Sequence, residues 1–369
     1  MKIECQIEKL KKAVISADRV TGKNLTLPIL SSILFTADKE GKSLRLRATN
    51  LSLGIELEIP AKVEEGGTCA VSGVVLSNLF SNMYDDGVVN IEISNGNMNI
   101  STKRNSFVVK SYPVDDFPTL PDVEGSEIEI SLNKIIEGIK AVYYSASTSE
   151  IKPEISSVYV YPEESSIVFV STDSFRLAEK RIKTKELYEF SPIIIPYKNI
   201  VEIIRVCSDL DTDIKLVVGK NQIVMKTNGL YITSRVIDGV YPDYKQIIPK
   251  KELNTTEVVV LKQDIINSLK VSNIFSDKFN QITVSINPSS KKMVMKAQNS
   301  DIGENTTSID GSFSGESVDL NVNYKYMFDC FQSINQESIV IKVSGSNKPV
   351  IIHGVNDLSF TYLVMPMNR

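Results

Sequence analysis

Hydrophobic residues recur at helical spacing in six segments of the chain, two in each third. In the first segment Leu10, Ala13, Val14 and Ala17 are three or four residues apart, which places them on one face of an α-helix. "IEISLNKIIEGIKAVYYSAS" and "VVVLKQDIINSLKVSNIF" repeat that pattern in the second and third thirds. The period predicts helices at residues 8–20, 74–84, 132–145, 197–208, 262–275 and 323–334.

Alternating hydrophobic and polar positions between and after these helices predict strands. Asn95-Gly96 and Asn228-Gly229 interrupt two such runs, and Asn-Gly is typical of a two-residue hairpin turn. The stretch "FVSTDSFRLAEK" (169–180) begins as a strand and then carries a polar tetrad followed by Phe-Arg-Leu. Weaker copies of it lie at 46–56 and 294–304, with Asn50, Asp173 and Asn299 at matching places.

The chain therefore reads as three copies of one unit, offset by about 125 residues. Proline-rich segments at 115–122 and 239–249 follow the last strand of the first two copies and are typical of linkers. We expect domains at 1–123, 124–251 and 252–369. Each would hold two helices and about eight strands, which is the α+β class.

Composition is that of an ordinary globular chain, with 42% hydrophobic and 23% charged residues among 369. No run of 18 apolar residues is present, so we expect no membrane segment. The amino-terminal stretch is charged and amphipathic rather than signal-like, which favours a cytoplasmic protein. Cys5, Cys69, Cys207 and Cys330 are far apart in sequence, and we expect buried, reduced thiols.

The sequence shows little that would indicate an enzyme active site. The single histidine, His353, lies in a predicted strand followed by a turn, where a structural role is expected. No metal-ligand, nucleophile-elbow or phosphate-loop motif is present, so we predict no catalytic residue, metal or cofactor. Asp173 and Arg176 form either a turn with a surface arginine or part of a binding surface. An enzyme built from three repeated domains remains the alternative from another class.

Positive charge is concentrated on the predicted helices, which sum to +5 in a chain of net charge −4. Lys9, Lys12 and Arg19 share one helix face, and Lys198 and Arg205 share another. Such faces suit a phosphate backbone without sequence readout, although a solvated helix face would look the same. The helical candidates facing DNA are Lys9, Lys12, Arg19, Lys134, Lys198, Arg205, Lys262 and Lys270.

Several stretches, in order, resemble the bacterial DNA polymerase III beta subunit family, the sliding clamps. They are "LTLPILSSILF", "DDFPTLPD", "STDSFRLA", "TSRVIDGVYPDYKQIIP" and "YLVMPM". The resemblance spans the chain and implies a homodimer closed head to tail into a ring around duplex DNA. It implies partners, namely the replicative polymerase alpha subunit, a clamp loader and other clamp-motif proteins, and neither catalysis nor a cofactor. A scaffold that uses the same pocket without DNA is the remaining alternative.

The resemblance also implies a groove between the second and third domains that takes a short linear motif with aromatic and aliphatic side chains. The matching positions are Ile155, Thr172, Ser174, Phe175, Arg176, Leu177, Pro242, Ile247, Phe279, Asn321, Tyr324, Val364, Met365, Pro366 and Met367. Phe175 stands where the family often has histidine, and Asn368 precedes the basic Arg369. Lys23 matches a basic loop of the family that meets DNA. For the ring interface we expect the strand at 105–113 and a strand near 271–302.

Overall fold

The computed structural model describes residues 1–22, 27–84, 87–208, 210–249 and 255–367. Lys23, Asn368 and Arg369 lie outside the described residues. Within these ranges the α-helices are α1 (Ile7–Val20), α2 (Gly73–Ser81), α3 (Leu132–Val142), α4 (Tyr197–Cys207), α5 (Lys262–Ile274) and α6 (Tyr324–Asp329). Short 3-10 helices lie at Pro28–Ser31, Tyr143–Ser145, Tyr244–Gln246 and Cys330–Ser333.

Eight strands fall in each of the first two repeats and nine in the third, counted over the described residues. The first repeat has β1 (Lys2–Gln6), β2 (Ser32–Asp38), β3 (Ser43–Thr49), β4 (Leu53–Glu65), β5 (Gly67–Ser72), β6 (Val88–Ser94), β7 (Asn97–Ser101) and β8 (Ser106–Tyr112). The second has β9 (Ser126–Ser131), β10 (Ser157–Glu163), β11 (Ser166–Thr172), β12 (Arg176–Lys183), β13 (Ile193–Pro196), β14 (Asp213–Val218), β15 (Gln222–Thr227) and β16 (Leu230–Arg235). The third has β17 (Thr256–Leu261), β18 (Gln281–Asn287), β19 (Lys292–Asn299), β20 (Gly303–Asp310), β21 (Ser312–Ser314), β22 (Val318–Asn323), β23 (Ser338–Val343), β24 (Val350–Gly354) and β25 (Phe360–Val364).

The chain divides into two compact units, each drawing on more than one part of the sequence. Unit 1 comprises residues 1–135 and 198–236. Its described strands form sheet A, in the order β1-β6-β7-β8-β5-β2-β3-β4-β16-β15-β14-β9. The first and second repeats join inside this sheet, because β4 pairs antiparallel with β16.

Unit 2 comprises residues 136–197 and 237–369. Its described strands form sheet B, in the order β13-β10-β11-β12-β25-β24-β23-β17-β21, and sheet C, in the order β20-β19-β18-β22. The second and third repeats join in sheet B, where β12 pairs with β25. Neighbouring repeats thus pair through edge strands, so they share sheets instead of forming separate domains with their own sheets.

The predicted helices are confirmed, and their apolar stripes face the core. In α1 the predicted residues Leu10, Ala13, Val14 and Ala17 are all buried. The predicted segments at 132–145 and 323–334 end as 3-10 turns after α3 and α6, a common way to finish a helix. No helix in the described part of the chain has the length and hydropathy needed to cross a bilayer.

Local turn chemistry explains where strands reverse. Asn95 and Gly96 have φ of +49° and +70° between β6 and β7, as a type I′ turn requires. His353 lies half-buried in β24, and its Nδ1 is 2.9 Å from the Gly354 carbonyl oxygen. That contact fits the structural role expected of this histidine.

Candidate partner-binding groove

The turn between β11 and β12 is fixed by its own polar side chains. The Thr172 hydroxyl donates to the Arg176 carbonyl at 2.6 Å and accepts from the Ser174 backbone N–H at 3.1 Å. Asp173 Oδ1 accepts from the backbone N–H groups of Phe175 and Arg176 at 2.9 and 3.0 Å. Ser174 adopts φ of +77°. The polar tetrad therefore makes a rigid reversal rather than a flexible loop.

This reversal holds an aromatic ring in solvent. The Phe175 residue is 60% exposed, although its backbone N–H is bonded to Asp173. A large apolar side chain held out on an ordered turn costs free energy in water, and covering it with a partner recovers that cost. Phe175 is thus a candidate contact residue.

Arg176 faces the other way and is held from three sides. Its Nε donates to Asp173 Oδ2 at 2.9 Å, and its Nη1 donates to Asp329 of α6. Its guanidinium carbon lies 4.6 Å from the centre of the Tyr326 ring. Burial alone would lower the pKa of Arg176, but Tyr362 and the two carboxylates outweigh it and raise that pKa. Arg176 thereby ties the turn to α6.

The carboxy-terminal stretch after β25 connects sheets B and C. Arg176 pairs with Val364 in the β12–β25 ladder. The Met365 N–H then donates to the Phe175 carbonyl at 2.8 Å, and the Met367 N–H donates to the Asn321 carbonyl at 2.7 Å. This tail (Val364, Met365, Pro366, Met367) therefore brings the β11–β12 turn within reach of β22.

A corner of the third repeat completes that side. Asn321 Oδ1 accepts from the Thr283 hydroxyl at 2.8 Å. The Tyr324 N–H donates to the Asn280 carbonyl at 2.9 Å, which holds the loop carrying Phe279 against the start of α6. Phe279 is largely exposed. Phe279, Asn321 and Tyr324, predicted together, do lie together.

The predicted linker, residues 239–249, lies against the floor of this region. Leu177, Tyr241, Tyr244 and Leu363 share one buried apolar cluster with residues of β10, β11 and β13. The Tyr244 N–H donates to the Pro242 carbonyl at 2.7 Å. Ile247, just beyond the 3-10 turn, is 45% exposed, so the linker offers an apolar wall above a buried floor.

A buried polar cluster fastens this linker to β10 and β12. The Tyr244 hydroxyl donates to Glu179 Oε2 at 2.5 Å, and Arg181 Nε donates to Glu179 Oε1 at 2.8 Å. Burial first, and then the bond to Glu179, raise the pKa of Tyr244. Lys245 and Arg181 both pair with Glu163. The linker is thus anchored by charge as well as by aromatic packing.

Ile155, another predicted groove residue, lies in the loop before β10. It is half-buried, and its carbonyl accepts from the Ser147 N–H at 2.9 Å, which closes the loop after the Tyr143–Ser145 turn. The neighbouring Glu154 side chain lies against Gly239 of the linker. The loop that carries Ile155 therefore lies against the linker through Glu154.

Sequence reasoning did not find Asp329 and Tyr326, which hold Arg176, or Tyr241 and Tyr244, which hold the linker. One signal was available for Asp329, because it is a lone carboxylate in the otherwise apolar run "MFDCF". The tyrosines carried no such signal, since aromatic residues in a linker segment are equally compatible with exposure.

The basic candidates of the helices lie mostly on exposed faces. Lys9, Lys12 and Arg19 point away from the buried stripe of α1. Lys198, Arg205 and Lys270 are exposed on α4 and α5, although Arg205 also pairs with Glu202 at 2.7 Å. Lys134 is half-buried. Lys262 is half-buried too, and its Nζ already donates to the Ile334 carbonyl at 2.7 Å.

Each third of the chain matches a profile of the DNA polymerase III beta subunit. The N-terminal domain matches residues 1–121, the central domain 129–243 and the C-terminal domain 245–368. The beta sliding clamp of Synechocystis sp. is 28% identical over 390 residues, covering 100% of this chain and 99% of that protein. The beta sliding clamp of Synechococcus elongatus is 26% identical over 375 residues, with the same coverage.

Solved structures share the fold. A sliding clamp from Pseudomonas aeruginosa, crystallised with griselimycin, matches with a TM-score of 0.93 at 23% identity over 100% of both chains. A sliding clamp from Bacillus subtilis matches with a TM-score of 0.92 at 23% identity, over 100% of this chain and 99% of that one. The chain belongs to the DNA polymerase III beta subunit family, the sliding clamps. It is therefore a processivity factor for DNA polymerase.

Proposed function

We propose that two copies of the chain close head to tail into a ring around duplex DNA and tether the replicative polymerase through the groove just described. The observation that carries this proposal is the β11–β12 turn, which displays Phe175 while Arg176, the tail and the linker hold it rigid. The polymerase alpha subunit, the clamp loader and other clamp-motif proteins are the proposed occupants. Because the Pseudomonas aeruginosa clamp was crystallised with griselimycin, we also propose that griselimycin binds this chain at the groove.

The ring interface is proposed between β8 of one copy and β20 of the other. Among the described strands, β20 pairs only with β19, and β8 pairs with β5 only at Ser111 and Tyr112. Both elements therefore offer an open strand edge. The expected strand near 271–302 covers β18 and β19, and we propose the next strand, β20, because it lies at the edge of sheet C.

Side chains at these two edges are complementary. Apolar residues are exposed beside each edge. Near β8 they are Val74, Val75 and Val108, and near β20 they are Val271, Ile274 and Ile302. Lys103, Arg104 and Lys110 are exposed around β8, whereas Asp301, Glu304 and Asp310 are exposed around β20. Apolar contact with opposite charges at its rim fits a specific interface.

DNA contact is proposed for the basic helix faces, with Lys9, Lys12, Arg19, Lys198, Arg205 and Lys270 as the leading residues and Lys134, Lys262 and Lys23 as further candidates. Screened, sequence-independent attraction to phosphates allows a closed ring to slide. The remaining −9 of charge outside the helices disfavours DNA elsewhere on the surface. No catalytic step is needed for such a tether, and we propose none.

A cytoplasmic site of action agrees with the cysteines. Cys5, Cys69, Cys207 and Cys330, all within the described ranges, are free and buried. Burial raises the pKa of Cys5 and of Cys207 to about 12, so both stay thiols at neutral pH and react slowly with oxidants.

The decisive experiment compares retention on circular and linear duplex DNA at moderate salt, after loading by a clamp loader. Retention on circles with loss from linear ends is the expected result, because only a closed ring is held topologically. Equal loss from both would contradict ring closure. A charge reversal at the open edge, Arg104→Glu, should abolish retention on circles, and Arg104→Glu together with Glu304→Arg is the matched rescue.

A further inference from the structure

The β3–β4 turn of unit 1 repeats the hydrogen bonds that hold the β11–β12 turn at the groove. The Thr49 hydroxyl donates to the Leu53 carbonyl at 3.0 Å, as Thr172 does to Arg176. Asn50 Oδ1 accepts from the Ser52 and Leu53 N–H groups at 2.9 and 2.8 Å, as Asp173 does in the β11–β12 turn. The β3–β4 turn is therefore built like the β11–β12 turn.

The neighbouring strand end is equivalent too. Leu53 pairs with Ser234 of β16, just as Arg176 pairs with Val364 of β25. The Arg235 N–H donates to the Ser52 carbonyl at 2.8 Å, and the Met365 N–H donates to the Phe175 carbonyl at the same distance. The end of β16 thus takes the place that the tail takes in unit 2.

One position differs in a way that matters. Leu177, the buried floor of the groove, corresponds to Gly54 in this register. A Cβ placed on Gly54 would lie 2.4 Å from Leu120 Cδ2 and 3.0 Å from Thr233 Cγ2. The Leu120 side chain, from the linker between the first and second repeats, therefore occupies the volume that a strand side chain fills in unit 2.

The linker is hydrogen-bonded beside the β3–β4 turn but leaves part of the space there empty. The Tyr231 hydroxyl donates to the Pro121 carbonyl. A cavity of about 230 Å³ remains, lined by the turn, by the end of β16 and by linker residues 118–121. At its mouth Leu51 is 44% exposed with φ of +71°, a strained conformation for a bulky residue and one that recurs at ligand sites.

We propose that linker residues 118–121 are a built-in ligand, which closes a second peptide pocket at the β3–β4 turn, while the groove of unit 2 stays open. Gly54 lets the linker cross the strand, and Leu120 is its anchor. The pocket accepts an extended peptide with a leucine between prolines, because that is what it holds. This inference goes beyond the proposed function and does not depend on ring closure.

The test supplies the linker in trans. The probe is a fluorescein-labelled hexapeptide with the sequence of residues 117–122, Phe-Pro-Thr-Leu-Pro-Asp. Leu120→Ala removes the anchor, so this variant should bind the probe at least tenfold more tightly than the wild-type chain. A control hexapeptide with alanine for leucine should bind neither, and griselimycin should not displace the probe.

Equal binding of the probe to the wild type and to Leu120→Ala would overturn the proposal, as would displacement by griselimycin. Tyr231→Phe is the second variant, because it releases Pro121 without removing apolar packing. It should raise probe binding by a smaller factor and speed proteolysis within 113–122. No change in either measurement would also overturn the proposal. A failure of the DNA-retention experiment would leave these results untouched, so the two proposals fail separately.

Discussion

The β3–β4 turn and the β11–β12 turn share their backbone hydrogen bonds but present opposite side chains. In the first, Leu53 is buried, and Ser52 is held by Asn199, whose Nδ2 donates to the Ser52 carbonyl at 3.2 Å. In the second, Phe175 is exposed, and Arg176 reaches out to Asp329. The same reversal thus buries a leucine in unit 1, whereas in unit 2 it exposes a phenylalanine that we propose as a contact residue.

The largest effect is expected when the residue at the start of the second strand is replaced by alanine. That residue is Arg176 in the β11–β12 turn and Leu53 in the β3–β4 turn. Arg176→Ala leaves Asp173 and Asp329 without their cation, and charge-assisted bonds are worth about 1.5–3 kcal/mol each. We expect griselimycin affinity, measured by calorimetry, to fall about 10- to 100-fold.

The matched variant is Leu53→Ala in the β3–β4 turn. It should lower the free energy of unfolding by about 2–5 kcal/mol, as a large-to-small core change does, with griselimycin affinity unchanged. Loss of affinity in Leu53→Ala, or none in Arg176→Ala, would mean that the two turns do not differ in function as described.

A smaller effect is expected from Phe175→Ala. The exposed ring contributes to binding but little to folding, so affinity should fall about 5- to 10-fold, on the order of 1 kcal/mol for a partly covered aromatic side chain. The thermal midpoint should stay within about 2 °C, since surface changes are usually within about 0.5 kcal/mol. Ser52→Ala in the β3–β4 turn is the control and should leave affinity unchanged. A large drop in the midpoint of Phe175→Ala would show that the ring supports the fold instead.

The linker at 239–249 is held by ion pairs, whereas the linker at 115–122 is held by the uncharged bond from Tyr231 to Pro121. Only the first should therefore contribute a stability that depends on pH. The bond from Lys245 lowers the pKa of Glu163 below its usual 4.5, against an opposing effect of burial and with help from Arg181. The resulting stabilisation is complete above the unfolded pKa and is lost as pH falls through the lower folded value. Glu163→Gln should therefore be less stable than wild type by about 1 kcal/mol or less at pH 7.

That difference should shrink below about pH 4.5. Denaturant titrations of both proteins from pH 3 to 7 measure it. Tyr231→Phe removes the uncharged bond to Pro121 in the linker at 115–122. Its free energy of unfolding should differ from that of wild type by an amount that does not vary over this pH range. A Glu163→Gln difference that grows toward acid would contradict the assignment.

The smallest effect is expected from Asp173→Asn. Asparagine keeps the Oδ1 acceptor, as Asn50 shows at the equivalent place, and removes only one charge beside Arg176. Griselimycin affinity should fall only about two- to threefold, roughly 0.4–0.7 kcal/mol, because Arg176 keeps its bond to Asp329 and its contact with the Tyr326 ring. Asn50→Asp should change neither affinity nor stability measurably. Complete loss of binding in Asp173→Asn would mean that charge, not the turn, positions Phe175.

Much of this architecture could be predicted because it is periodic. Helical spacing located each helix, and the match of Asn50 with Asp173 anticipated the shared turn. Contacts between distant residues could not be predicted in the same way. Asp329 is 153 residues from Arg176, and the pairing of Arg176 with Val364 depends on strand register. Nor does any local pattern show that Leu120 fills the space above Gly54, because that contact joins a linker to a strand.

The tail's two hydrogen bonds have a mechanical consequence. In the proposed tether, a polymerase bound at the groove pulls on Phe175 and its neighbours. Met365 joins that turn to sheet B, and Met367 joins the tail to sheet C. Such a load would pass through the tail to both sheets of unit 2. Residues 364–367 therefore link the proposed contact site to two sheets rather than one.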